Sequence, residues 1–176
     1  MRDTLFPEGI PYVRLAAPSD EEDLVEMVKA MHEDEECGLL DAEGAPFPFS
    51  PIKARATIQR ATQRRNAPDA GNAWLGVIGE PGQLQGSAFV AVQEASMQDG
   101  CFLGELWSYA LPSIRNTPAS DALIEFSIAI ADMVGLRLVM AAMTQKRMAK
   151  SRFYARRFGA PIGNVYSYTP TLMGVV

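Results

Sequence analysis

The chain has 176 residues, 48% of them hydrophobic and 21% charged, and a net charge of −5. Length and apolar content suit one folded domain and exclude disorder along the whole chain, while the acidic balance argues against a dedicated nucleic-acid binder. No apolar run reaches the roughly 20 residues of a membrane helix, no basic-then-apolar leader opens the chain, and Cys37 and Cys101 offer neither a disulfide framework nor a metal-ligand spacing, so a soluble protein of a reducing compartment is expected.

Residues 1–11, with Pro7, Gly9 and Pro11, read as an irregular arm before a single domain over 12–176. Tyr12–Ala17 alternates as a short strand. Ser19-Asp20-Glu21-Glu22 then reads as a capping box in which Ser19 and Glu22 satisfy each other's free donors. Leu24, Met27, Val28 and Met31 follow at helical spacing, predicting a helix from Asp20 to about Glu35. After a loop over Gly44–Pro51, Ser50-Pro51 opens a second helix to about Arg65, with a cap and a proline at the first helical position. Trp74–Glu80 and Leu84–Glu94 are apolar, β-branched runs joined at Pro81-Gly82, a predicted hairpin, and Cys101–Leu111 is the next strand. Thr117-Pro118 repeats the cap-plus-proline pattern. Leu123, Phe126, Ile130 and Val134 trace one face of the helix it opens, and Ile124, Ile128 and Ala131 lie off that face, so burial on more than one side is expected before Gly135 ends it. A strand over Arg137–Met143, a basic helix over Gln145–Phe158 ending at Gly159, and a short strand over Val165–Thr169 complete the order β-α-α-β-β-β-α-β-α-β, an α+β mixture.

Charge is segregated along this order. Residues 1–50 hold 13 of the 21 acidic residues and three bases, whereas Lys53–Arg65 and Lys146–Arg157 hold 11 of the 16 bases and no acid. Such runs are commonly solvated helix faces. Lys53–Arg65 has no interleaved aromatics, so a stacking platform for nucleic acid is not expected. The lone His32 excludes a multi-histidine metal site, and no metal is expected.

Several local patterns, in this order, resemble the GNAT superfamily of N-acetyltransferases. Val13-Arg14-Leu15-Ala16-Ala17-Pro18-Ser19-Asp20 is similar to its opening strand and helix cap, and Trp74–Gln93 resembles its second and third strands. Glu105-Leu106-Trp107 through Pro112-Ser113-Ile114-Arg115 resembles the fourth strand running into the cofactor loop, and Phe153-Tyr154-Ala155-Arg156-Arg157-Phe158-Gly159 resembles a late helix of that family. The resemblance implies an α+β, GNAT-like fold, a mixed and mostly antiparallel sheet of six or seven strands flanked by about four helices. It further implies acetyl-CoA as co-substrate and an amine, on a small molecule or a protein, as acceptor.

The resemblance also implies roles for particular residues. The backbone of Tyr109, Ala110 and Leu111 would hold the pantetheine arm, and Arg115, Asn116, Thr117, Ala119 and Ser120 would meet the diphosphate. Pro118 stands where the family's first glycine is expected and has no amide hydrogen to offer. Gln145 would stand in for an asparagine of the late helix. Glu105, buried in an apolar strand, would take the ammonium proton, and Tyr154 would protonate the leaving thiolate. His32, Glu35 and Glu36 would attract a cationic amine. Plainer readings stay open here: Thr117-Pro118 as the cap of a core helix, Tyr154 as a packing residue. Together with Pro118 and the missing glycines they leave a second function, a catalytically inactive GNAT-fold interaction or assembly protein of phage origin. Either protein would be cytoplasmic, in a bacterium or a phage-infected host, and either could form a homo-oligomer.

Overall fold

A computed structural model of the chain describes residues 12–34, 48–63, 72–94, 100–140 and 154–159. The chain divides into two compact units, residues 1–31 with 49–141, and residues 32–48 with 142–176. In the first unit, β1 (Val13–Leu15), β2 (Ala73–Ile78), β3 (Gly86–Glu94), β4 (Cys101–Ala110) and β5 (Leu138–Val139) form one sheet in chain order. All neighbours are antiparallel except β4 and β5, which run parallel. The mixed, mostly antiparallel sheet is thus present with five strands among the described residues rather than six or seven. The strand expected at Val165–Thr169 lies outside the described residues.

Among the described residues the helices are α1 (Glu21–Glu33), α2 (Pro51–Thr62) and α3 (Pro118–Val134), and the second unit holds a helical turn at residues 154–158. The expected hairpin forms: Gly82 takes φ 83°, which glycine reaches without strain, and the Gln83 amide donates to the Glu80 carbonyl at 2.9 Å. Sheet and α3 share a core in which Val13, Trp74, Ile78, Ala88, Val90 and Leu103 meet Ala122, Leu123, Phe126, Ile130 and Ala131. Ile124 is buried as well, and Asp121 and Asp132 are exposed, so α3 is covered around most of its circumference as its composition requires. Gly76 lets it lie close. A methyl group there would come within 3.0 Å of the Phe126 ring and 2.9 Å of Val13.

The start of α1 differs from the expected capping box. Ser19 is exposed, and the Glu22 side chain pairs with Arg55 of α2 rather than with the Ser19 backbone. A short 3-10 turn, Pro18–Asp20, precedes α1 instead, and Asp20 closes it by accepting from the Ala17 amide at 2.8 Å. Asp20 is fully buried, and Arg14 of β1 grips both its oxygens at 2.7 and 2.8 Å while Arg14 Nε donates to the Gly79 carbonyl at 3.0 Å. The neighbouring acids are also committed: Glu21 accepts from Thr62 at 2.7 Å and Gln59 at 3.1 Å, and Asp23 accepts from the Gly82 amide. Three of the 13 acidic residues in the first 50, Glu21, Glu22 and Asp23, therefore tie α1 to α2 and to the hairpin.

Candidate functional site

The site begins with the ladder between β3 and β4. From Glu94↔Cys101 to Val90↔Glu105 the register is regular; the next pair is Phe89↔Trp107, which leaves Leu106 as an extra residue on β4. Such a bulge bends the strand and re-aims its side chains, and Leu106 is exposed. β5 meets β4 only at Leu103 and Gly104. Past Gly104, no described strand pairs with the outer edge of β4.

Alternation in an antiparallel ladder decides which groups face that edge. The Leu111 amide donates to the Gln85 carbonyl at 2.8 Å, so that amide and, two residues back, the backbone groups of Tyr109 face β3, while the Leu111 carbonyl is taken by the Ile114 amide. Ser108 and Ala110 turn theirs outward. Of the Tyr109–Leu111 backbone expected to hold a pantetheine arm, only Ala110 faces the edge, and Ser108, which the sequence reading passed over, faces it too. The Ala110 carbonyl accepts from Arg115 Nε at 2.9 Å.

The strand leads into α3 through a tight turn. The 3-10 segment Pro112–Ile114 is closed by the Ile114 amide on the Leu111 carbonyl at 3.0 Å. Arg115 (φ −61°, ψ 143°) and Asn116 (φ 61°) then take the backbone angles of a type II turn, whose third residue needs positive φ. Asparagine tolerates that region better than other side-chain-bearing residues. Thr117 is the N-cap in position, with extended backbone, yet its hydroxyl does not cap the helix; it donates to the Ile114 carbonyl at 2.7 Å and closes the turn.

The first turn of α3 is left partly open in consequence. The Ser120 and Asp121 amides both donate to the Thr117 carbonyl, at 3.0 and 3.3 Å, and the Ser120 hydroxyl does the same at 2.9 Å. Pro118 has no amide hydrogen. Among the described residues, the Ala119 amide has no acceptor, nor have the amides of Asn116 and Thr117 just before it. The expected extra donor at Ser120 is thus spent inside the cap, and the donors left for an anion are backbone groups at a helix start, where the dipole favours negative charge.

Glu105 sits opposite Val90 at the bulge and is half-buried, not buried as expected. Trp107, on the other side of the bulge, meets Phe89 edge to face with ring centroids 4.7 Å apart, and its indole N–H donates to the buried Ser87 hydroxyl at 3.0 Å. In the second unit Tyr154 is buried in the turn 154–158, its ring 6.1 Å from that of Phe158, and Gly159 closes the turn with φ 85°. His32 lies half-buried in the last turn of α1. Glu35, Glu36 and Gln145 lie outside the described residues. Glu105 and Tyr154 belong to different units.

The charged groups with clear perturbation lie elsewhere, at the start of α1. Burial alone would raise the Asp20 pKa, but the hydrogen bonds from Arg14 and from the Ala17 amide, with the Arg14 charge, outweigh it and hold it below the ordinary aspartate value. The bond to Asp20 in turn raises Arg14. Glu22 is lowered by its bond from Arg55. Among the described residues no group of three His, Cys, Asp or Glu side chains could hold a metal ion, and no helix is long and apolar enough to cross a membrane.

No protein-family model and no curated protein sequence matches the chain. Solved structures do. A predicted acetyltransferase from Clostridium acetobutylicum with acetyl-CoA superposes with a TM-score of 0.66 at 13% identity, over 93% of this chain and 98% of the other. An aminoglycoside antibiotic 6′-N-acetyltransferase from Acinetobacter haemolyticus gives 0.60 at 12% identity, over 92% and 99%. Glucosamine-6-phosphate N-acetyltransferase from Arabidopsis thaliana gives 0.58 at 10% identity, over 90% and 96%. At such identities the likeness is one of fold, and it runs along almost the whole chain.

Proposed function

Because the chain has the fold of the GNAT acetyltransferases, we propose that it is an N-acetyltransferase that moves an acetyl group from acetyl-CoA to an amine. One observation carries the reading: past Gly104 no described strand lies beside the outer edge of β4, and that edge runs directly into a helix start whose amides at Asn116, Thr117 and Ala119 are unclaimed among the described residues. An amide-bearing arm ending in a diphosphate matches that sequence of groups, pairing with Ser108 along the edge and meeting the amides and the dipole of α3 at its charged end. Pro118 contributes no donor there, and Asp121, exposed in the first turn, opposes an anion. Binding weaker than a glycine-rich loop would give is therefore expected.

Acetyl-CoA supplies an activated thioester. The amine nitrogen forms a bond to its carbonyl carbon, the carbon–sulfur bond breaks, and the leaving thiolate takes up a proton. Glu105, held beside the Leu106 bulge, would receive the ammonium proton directly or through water, and the Tyr154 hydroxyl would supply the proton to sulfur. His32, Glu35 and Glu36 would draw in a cationic acceptor. Two of the structural neighbours named above are, by name, acetyltransferases of an aminoglycoside and of glucosamine 6-phosphate, so the fold is compatible with unlike amines and names none.

Isothermal titration with acetyl-CoA tests the reading, followed by thiol release in the presence of an aminoglycoside, glucosamine 6-phosphate and a lysine peptide. Heat at about 100 μM protein, where even a Kd near 1 mM begins to register, and thiol release that depends on one amine support it. No heat at that concentration rejects the enzyme and favours the second reading, a GNAT-fold interaction protein, which Pro118 and the inward-turned Ser120 hydroxyl motivate.

A further inference from the structure

We propose that Arg115 is a positioning residue that fixes where a cofactor arm seats along β4, and not a charge that binds the diphosphate. The inference rests on the acetyl-CoA reading and names the role of one residue within it. Two contacts of Arg115 run back to β4. Its Nε donates to the Ala110 carbonyl at 2.9 Å, and its guanidinium carbon lies 5.4 Å from the centre of the Tyr109 ring, which is itself buried. Both contacts are with the end of the strand five and six residues earlier. The turn between is closed by the Thr117 hydroxyl on the Ile114 carbonyl, so strand end, turn and helix start form one bonded unit.

The carbonyl that Arg115 occupies is the last one on the outer edge of β4. Left open, it would accept from an amide N–H of an arm lying along that edge. Occupied, it leaves Ser108 as the nearest outward carbonyl, one pleat back towards the Leu106 bulge. The arm's register is thereby set one step nearer the bulge and Glu105. Lysine cannot reproduce this contact: its ammonium is a point charge without the planar fork that can donate from Nε while stacking on a ring. Loss of the bond frees the Ala110 carbonyl and lets the arm slip towards α3.

Two probes separate positioning from charge, acetyl-CoA and S-acetylpantetheine, the latter lacking the diphosphate. They are titrated into wild type, Arg115→Lys and Arg115→Gln across a salt series. Positioning predicts that both variants weaken acetyl-CoA about equally, by about tenfold, that S-acetylpantetheine weakens by the same factor, and that the salt slope stays that of wild type. Amide hydrogen exchange over residues 111–117 quickens in both variants, and circular dichroism checks that each is folded. A charge role predicts the opposite: Arg115→Lys stays near wild type, Arg115→Gln flattens the salt slope, and S-acetylpantetheine is indifferent to both. That result overturns the proposal and leaves the acetyl-CoA reading intact. Failure of wild type to bind acetyl-CoA overturns the reading itself, and is seen before any variant is measured.

Discussion

Two helices of this protein open with the same sequence signature, a hydroxyl residue followed by proline, and end up chemically different. At Ser50-Pro51 the hydroxyl turns into α2 and accepts from the Lys53 amide at 3.4 Å. At Thr117-Pro118 it turns away and donates to Ile114, leaving the Ala119 amide without an acceptor among the described residues. The start of α1 belongs with the closed kind, its Ala17 amide held by the buried Asp20. Where a cap hydroxyl goes is decided by the chain before it. Pro112–Ile114 brings a carbonyl within 2.7 Å of Thr117, and no such turn is described before Ser50. The closed starts hold the fold together, and the open one keeps its Ala119 amide unclaimed among the described residues.

The closed starts should fail first as structure. Removing the Asp20 carboxylate leaves Arg14 and the Ala17 amide without their acceptor in a buried setting, and breaking one side of such a pair costs about 3 kcal/mol or more. Asp20→Ala should therefore give the largest drop in stability in urea unfolding, while the remaining folded protein binds acetyl-CoA with wild-type affinity. Acid gives the same information. Because the folded pKa of Asp20 lies below its unfolded value, its contribution is complete above the ordinary aspartate range and is lost as pH falls through the lowered folded value. Wild type should lose more stability on that acid limb than Asp20→Ala does. The raised Arg14 pKa contributes below its unfolded value and is lost only at strongly alkaline pH.

The open start should fail as a binding site and hardly as structure. Proline is tolerated in the first helical turn, so Ala119→Pro deletes one unclaimed amide with little damage to α3. Ile52→Pro makes the same change at the second helical position of α2, where Ile52 is 83% exposed. A hydrogen bond to a charged group contributes about 1.5–3 kcal/mol. Ala119→Pro should accordingly weaken acetyl-CoA by about tenfold or more in calorimetry, and Ile52→Pro should leave it unchanged. Equal effects from both would erase the distinction between the helix starts.

The sequence made much of this legible, and the misses have physical causes. Helical spacing located α1 and α3, a cap followed by proline located α2, apolar, β-branched runs located β2 and β3, and Pro81-Gly82 located the hairpin, because each signal lies within one short stretch of chain. The Leu106 bulge was invisible, since a bulge is a property of two strands and Phe89↔Trp107 only has meaning once β3 is beside β4. The same holds for the role of Ser108, which depends on the pleat of β4. Ser19 looked like the cap of α1 by type, yet Arg14, brought close by β1, drew Asp20 into that role. Asn116 carried a readable hint, as a residue suited to positive φ directly before a helix. Arg115 was legible as a residue of the turn before α3, but its contacts with a carbonyl and a ring of the preceding strand were not.

A smaller effect is expected from the caps themselves. Ser50→Ala removes a long bond, so its cost belongs at the low end of the range for N-caps, about 0.5 kcal/mol, with no change in acetyl-CoA affinity. Thr117→Val also removes a hydroxyl, but it opens the turn that presents the Asn116 and Thr117 amides, and a fall in affinity should accompany its stability loss. If Thr117→Val bound acetyl-CoA as wild type does, the diverted hydroxyl would be irrelevant to the site.

The smallest effect belongs to Glu22, whose side chain is 76% exposed where it meets Arg55. The bond from Arg55 lowers the folded pKa of Glu22, so any contribution is present above the ordinary glutamate value and disappears as pH falls below the folded one. Exposed pairs are screened by salt and commonly contribute little. Glu22→Gln should lower the Tm slightly at low ionic strength and not detectably at high salt. The neighbouring contacts of Glu21 with Thr62 and Gln59 are half-buried and remain. A loss in Glu22→Gln that matched Ser50→Ala and persisted in high salt would mean that α1 is held to α2 chiefly by its surface charge, and the acidic start of the chain would then be a structural feature in its own right rather than a solvated face with one ordered pair.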